Sequence, residues 1–138
     1  MTVLDTNVIS EVFKPVPSEE VLEWLAAQVA ESVFTTAITE AEIFYGIELM
    51  PQGKRRAQFA AAAEKVFAEF AGRILNFDSG AAREFAVIVA ARDRIGRPVS
   101  EPDAMIAAIA RIHLASVATR KTRDFELCEI QLINPWEA

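Results

Sequence analysis

Apolar residues fall into two rhythms along this chain. Short clusters of β-branched and apolar residues recur at Thr2–Asp5, Ser32–Thr35, Ile74–Phe77, Ser116–Thr119 and Gln131–Ile133, each the length of a strand. Most are separated by longer stretches with apolar residues three or four apart. Pro17-Ser18-Glu19-Glu20 starts one such helix, with Ser18 as N-cap and acids in the first turn; Val21, Leu22, Leu25 and Val29 form its stripe. Thr39-Glu40-Ala41-Glu42 starts the next, with Ile43, Ile47 and Met50 on one face and Pro51 and Gly53 ending it. Lys54–Phe70 carries Phe59, Ala63, Val66 and Phe70, with Gly72 just past its end. Asp78-Ser79 opens a helix carrying Phe85, Ile88 and Val89, stopped by Gly96 and Pro98. Pro102 opens the last long helix. Its Met105, Ile106, Ile109, Ala110 and Ile112 make it apolar almost all round, so it is expected to be the most buried. The alternation predicts βαβ units: an α/β fold of three layers, α/β/α, around a parallel sheet of about five short strands.

At 138 residues the chain is expected to form a single domain, 1–138. It has no apolar run long enough for a membrane span and no basic-then-apolar N-terminal leader. One cysteine, Cys128, rules out an internal disulfide and fits a reducing cytoplasm. The net charge of −6 is unevenly spread. Residues 1–50 hold nine acids and one base, 51–73 five bases and two acids, and 74–138 eight bases and nine acids. A dedicated nucleic-acid binder is basic overall. Either nucleic acid is not the partner, or metal ions and local basic patches offset the acids; an acidic surface also suits a basic protein partner.

Four acids fall where a parallel sheet exposes functional groups, outside the carboxyl ends of its strands. Asp5 ends the first strand. Glu42 lies in the first turn of the helix after the second, Asp103 in the first turn of the buried helix, and Asp124 after the fourth strand. Carboxylates gathered at one edge repel each other, and a hard cation such as Mg²⁺ or Mn²⁺ relieves that. Each acid also has a structural reading. Thr39-x-x-Glu42 matches a capping box, Asp103 beside Glu101 suits a helix dipole, Asp124 can cap a turn, and Asp5 can cap the helix that follows it.

Basic residues group at Lys54-Arg55-Arg56, at Arg92/Arg94/Arg97 and at Arg120-Lys121-Arg123. The first two read as solvated helix faces or ends. The third follows the fourth strand, where a phosphate backbone needs counter-charge beside an acidic site. His113 and Cys128 read as structural, and there is no Gly-rich phosphate loop, zinc spacing or Gly-x-Ser-x-Gly. Phe44 and Tyr45, with Ile47, are candidates for a partner-facing patch.

Several segments together resemble a known family. They are Leu4-Asp5-Thr6-Asn7-Val8-Ile9-Ser10-Glu11, Thr35–Glu42 with Tyr45-Gly46-Ile47, Ala71–Leu75, Asp103–Ala110, Val117-Ala118-Thr119-Arg120 and Asn134-Pro135-Trp136. Carried in this order, they resemble PIN-domain ribonucleases of the bacterial VapC toxin type, the FitB-like branch most closely. The resemblance implies that Asp5, Glu42 and Asp103 hold Mg²⁺ or Mn²⁺, that Thr6 and Thr119 place hydroxyls near the metal, and that Asn7 shapes the site. Many relatives have Asp or Asn directly after the Thr-Arg pair. Here that position is Lys121, and Asp124 is the available substitute for the fourth acid. The implied reaction is metal-dependent hydrolysis of RNA phosphodiester bonds by in-line attack of an activated water. Arg120, Lys121 and Arg123 are then contacts to the substrate backbone. The implied partners are RNA, a cognate antitoxin of the VapB/FitA kind, promoter DNA only through that antitoxin, and a second copy of the chain. The alternative is a PIN-fold module that binds a DNA-binding antitoxin for transcriptional regulation and does not cleave.

Overall fold

The computed structural model describes residues 1–138. Five strands form one parallel sheet: β1 (Thr2–Leu4), β2 (Val33–Thr36), β3 (Ile74–Leu75), β4 (Ser116–Ala118) and β5 (Leu132–Ile133), in the spatial order β3-β2-β1-β4-β5. Seven α-helices surround it: α1 (Thr6–Glu11), α2 (Glu19–Ala26), α3 (Ala37–Glu48), α4 (Lys54–Glu69), α5 (Ser79–Arg94), α6 (Glu101–Ile112) and α7 (Thr122–Phe125). The three-layer parallel arrangement predicted from the alternation is the observed one.

Strand residues alternate between two cores, as the period of two requires. Val3 and Val117 point into a core built with α5, α6 and α7, which includes Ile88, Ile106, Ile109 and Phe125. Leu4 and Ala118 point the opposite way, into a core with α1 to α4 that includes Val8, Val21, Ile43 and Phe67. Helix α6 is the most buried, with seven residues from Asp103 to Ala110 shielded from solvent.

Strands β1, β3 and β4 are shorter than expected at their carboxyl ends, whereas β2 runs one residue further, to Thr36. Asp5 and Thr119 lie just beyond β1 and β4, and Asp5 N–H still donates to the Ala118 carbonyl at 2.9 Å. Asp5 keeps an extended backbone, φ −70° and ψ 162°, and its side chain caps α1 by accepting from Thr6 N–H, so the helix begins directly where the strand ends. The start of α3 also differs. Its N-cap is Thr36, whose hydroxyl accepts from Thr39 N–H at 3.1 Å. The capping box Thr39-x-x-Glu42 is therefore absent, and Glu42 sits in the second turn. Ser100 likewise caps α6, leaving Pro102 at the second helical position and Asp103 in the first turn as expected.

The order of the strands sets up the site. From β1 the chain moves to β2 on one side, and later returns to β4 on the other. The crevice outside the carboxyl ends of β1 and β4 is thus a topological switch point, where open parallel sheets bind ligands.

Candidate active site

Asp5 stands at this switch point, only 1% exposed. One carboxylate oxygen accepts from Thr6 N–H at 2.7 Å. The other accepts from the Thr119 hydroxyl at 2.8 Å and from Asn7 Nδ2 at 3.1 Å. Asn7 also donates to Thr119 Oγ1 at 3.2 Å, and its own carbonyl accepts from Arg120 N–H at 3.2 Å. Asn7 therefore ties the start of α1 to the segment leaving β4. Burial pushes the Asp5 carboxyl above its usual range; the Thr119 hydroxyl, Lys121 and the Thr6 N–H pull it back, and the Asp103 charge nearby raises it again.

Thr6 organises the α3 side. Its hydroxyl donates to Glu42 Oε1 at 2.6 Å and lies 3.0 Å from Thr39 Oγ1. A threonine inside α3, invisible as a site residue in sequence, is thereby part of the same network. Its backbone N–H is already capped by Thr36, which leaves its hydroxyl free for Thr6.

Asp103 is buried at the start of α6, and both its oxygens accept from Lys121 Nζ, at 3.1 and 3.2 Å. Partial burial opposes the Lys121 charge, but the Asp103 contact, with Asp5 and Asp124 beyond it, holds its pKa above the usual value. Lys121, expected to face a phosphate backbone, instead turns inward onto Asp103. Asp124 is exposed on α7, close enough for its charge to act on Lys121. Arg123 is exposed on the same short helix. Arg120 lies over the Trp136 ring, 5.1 Å from its centroid.

Thr6, Asn7, Glu42, Arg120, Lys121 and Trp136 line a cleft of about 380 Å³, and Asp5 and Asp103 lie outside its lining. A concavity of about 470 Å³ at the other end of the sheet, between Arg111 and Gln131, contains none of the candidate residues. His113 is exposed at the end of α6, away from the cleft. Burial pushes the Cys128 thiol up, so it is not a poised nucleophile. Of the patch considered around Phe44 and Tyr45, only Tyr45 is exposed; Ile47 is buried and Phe44 packs against Phe67.

The donor set suits a hard cation: carboxylates from three elements around one edge, with an ammonium already seated on Asp103. As they stand, no three Asp, Glu, His or Cys side chains are grouped closely enough to share an ion. Asp103 is engaged by Lys121 and Glu42 by Thr6, so sharing one ion requires these side chains to readjust.

Glu11, at the cleft rim, was not singled out by sequence. Its carboxylate accepts from Ser18 N–H at 2.9 Å and pairs with Lys14 at 2.9 Å, closing the loop between α1 and α2. The Lys14 contact, then the Ser18 N–H, holds its pKa below the ordinary 4.5. A depressed carboxylate contributes stability above its unfolded pKa and loses it as pH falls through the folded one. Glu11→Gln is therefore expected to cost about 1 kcal/mol at pH 7. That difference should shrink steadily below pH 4.5. Urea melts of both proteins across this range check it.

A family model described as PIN domain matches residues 2–129. The chain is 45% identical over 138 residues to the VapC ribonuclease Y4jK of Sinorhizobium fredii, covering 99% of each protein. It is 39% identical over 137 residues to the toxin FitB of Neisseria gonorrhoeae, again covering 99% of each. Its fold is similar to a chain in the structure of FitAB bound to an IR36 DNA fragment, with a TM-score of 0.93 and 39% identity, covering 99% of this chain and 96% of that one. The chain belongs to the PIN-domain family, in the branch of the VapC and FitB toxins.

Proposed function

We propose that this protein is the toxin of a type II toxin–antitoxin pair, and that it hydrolyses RNA phosphodiester bonds in a reaction requiring Mg²⁺ or Mn²⁺. The observation that carries this reading is the buried Asp5 carboxylate, held by three donors at the switch point, with Asp103 near enough for its charge to act on it and Glu42 linked to it through Thr6. Asp5, Asp103 and Glu42 are the residues that would hold the cation, with exposed Asp124 as the fourth acid. When bound, the cation supplies Lewis-acid polarisation of a phosphoryl oxygen and a lowered pKa for an attacking water.

The chain's own residues do the remaining work. Thr119, Asn7 and the Thr6 N–H fix the Asp5 carboxylate in one orientation, since each hydrogen bond favours its charged form. Thr6 fixes Glu42. Arg120 and Arg123 offer positive charge to the RNA backbone at the rim. Trp136, half-buried against the core, holds the Arg120 guanidinium over its ring at that rim.

The same reading extends to partners. The chain of residues 1–138 acts as one PIN unit in the cytoplasm, pairs with a second copy and is neutralised by a cognate antitoxin of the FitA/VapB kind. Its contact with promoter DNA runs through that antitoxin. The FitAB relative, solved on a DNA fragment, supports this arrangement. So does the acidic first third of the chain, which suits a basic antitoxin segment.

Cleavage of total RNA by the purified toxin tests the reading. EDTA is expected to reduce cleavage roughly a hundredfold or more, and added Mg²⁺ or Mn²⁺ to restore it. Undiminished cleavage in EDTA would sink the metal requirement. The cleavage-site map identifies the RNA. One observation favours a second reading, a non-cleaving module that only binds its antitoxin: Asp103 is already neutralised by Lys121. Antitoxin binding with no cleavage in any metal would establish it.

A further inference from the structure

Lys121 is the one cation placed within the acidic group, and its position is not that of a surface ion pair formed by chance. Its backbone is pinned: the N–H donates to Thr119 Oγ1 at 2.9 Å, and the carbonyl accepts from Asp124 N–H at 2.9 Å. Thr119 is the same residue that donates to Asp5. Lys121 is thus anchored at the Asp5 side of the crevice, and its side chain spans to Asp103 on α6. There the ammonium sits almost equally distant from the two carboxylate oxygens, at 3.1 and 3.2 Å. A cation between the two oxygens of one carboxylate uses the lone pairs that a bidentate metal ion uses. Asp103 keeps only 8% of its side chain exposed, so it needs a positive partner. The Lys121 side chain is 46% exposed, so it can swing into solvent while its backbone stays fixed.

We propose that Lys121 is a tethered counter-ion of the acidic site, which occupies Asp103 in the resting protein and competes with the divalent cation for it. The inference rests on the proposed metal-dependent nuclease. It adds that this chain carries its own competitor for the metal. Two consequences follow from charge and geometry alone. Metal binding that uses Asp103 must first release the ammonium, and a nearby positive charge opposes the incoming ion. Both weaken the site for divalent ions. Asp103 also stays neutralised when metal is scarce, which keeps the fold stable without it.

The test is Mn²⁺ binding by the full-length protein, measured by isothermal titration, together with the rise in melting temperature that Mn²⁺ produces. Lys121→Met keeps the length of the stem and removes the charge; Lys121→Gln serves if the Met variant does not fold; Lys121→Arg keeps the charge. Removing the charge is expected to tighten Mn²⁺ binding about tenfold, the scale of a partly exposed pair plus relief of like-charge repulsion. Without metal the same variant should melt lower than wild type, and its gain on adding Mn²⁺ should be larger. The Arg variant should stay near wild type. Equal or weaker Mn²⁺ binding by the Met and Gln variants overturns the inference. If those variants bind RNA more weakly while their Mn²⁺ affinity is unchanged, Lys121 is a phosphate contact and the inference also fails. Asp5→Asn separates the two levels. If it abolishes Mn²⁺ binding while the Lys121 variants change nothing, only the inference falls. If it leaves Mn²⁺ binding intact, or if no form binds Mn²⁺, the metal-site reading falls with it.

Discussion

Asp5→Asn is expected to reduce RNA cleavage by roughly a thousandfold or more, and to leave the protein folded. The activity loss follows from removing the most enclosed negative charge of the site, where preorganised electrostatics act in a dry environment. The small structural cost follows from the hydrogen bonds. An asparagine oxygen can still accept from Thr6 N–H and cap α1. Its amide nitrogen then faces the Thr119 hydroxyl and Asn7 Nδ2, where the carboxylate accepted. The Thr119 hydroxyl already accepts from Asn7 Nδ2 and from Lys121 N–H, so it takes no third donor, and about two hydrogen bonds are lost, worth about 2 kcal/mol. The buried charge is lost too, which removes a desolvation cost. The melting temperature should therefore shift by no more than about 5 °C. Cleavage assays on RNA, growth after induction and a thermal melt of the same preparation are the measurements. A variant that cuts RNA within tenfold of wild type would remove Asp5 from the chemistry.

Arg92→Ala is expected to be the most destabilising change at a charged residue. Arg92 belongs to the group Arg92/Arg94/Arg97, which sequence alone reads as a solvated helix face. The structure corrects that reading for Arg92, which is 4% exposed. Its guanidinium donates to the carbonyls of Arg97 at 2.6 Å, Glu126 at 2.8 Å and Asp124 at 3.0 Å, and approaches Cys128 Sγ at 3.6 Å. It therefore holds the turn after α5 and the segment between α7 and β5 in one place. That second segment contains Leu127 and Glu129, non-glycine residues in the left-handed region at φ 64° and 56°. Such backbone persists only where its surroundings hold it. Truncation leaves three carbonyls without this donor and a gap in a packed core. The expected loss is about 3 kcal/mol, and the melting temperature should fall by roughly 10 °C. Lysine should rescue little, since one ammonium cannot span the fork. A loss below about 1 kcal/mol in urea melts would show that the turn is held by other contacts.

These two residues show how unevenly the sequence revealed the molecule. The sheet was legible because short β-branched clusters alternating with helical stripes have few solutions other than parallel βαβ units. Asp5 was legible because an acid directly after an apolar strand is unusual. Glu42 is expected in the first turn of α3 and stands in the second, and the structural alternative offered for it falls away. Its capping-box pattern is absent, because Thr36, not Thr39, caps α3. Thr39, Glu11 and Trp136 were not singled out as site residues. Each has an ordinary local role, and its partner is remote: Thr39 meets Thr6 from 33 positions away, and Trp136 meets Arg120 from the other side of β5.

By itself the sequence determined the α/β architecture, the cap at Ser18, the helix start at Asp78-Ser79 and the burial of α6, because these depend on local periodicity and turn chemistry. It also carried the family resemblance, which the comparisons bear out. Tertiary structure alone decided which charges meet. Arg92 and Arg94 differ by two residues on one helix, yet only Arg92 is turned into the core. Lys121 and Arg123 also differ by two, yet only Lys121 reaches Asp103. A charge pair forms or fails over a few ångströms, and that distance is set by strand order and helix packing, not by spacing along the chain.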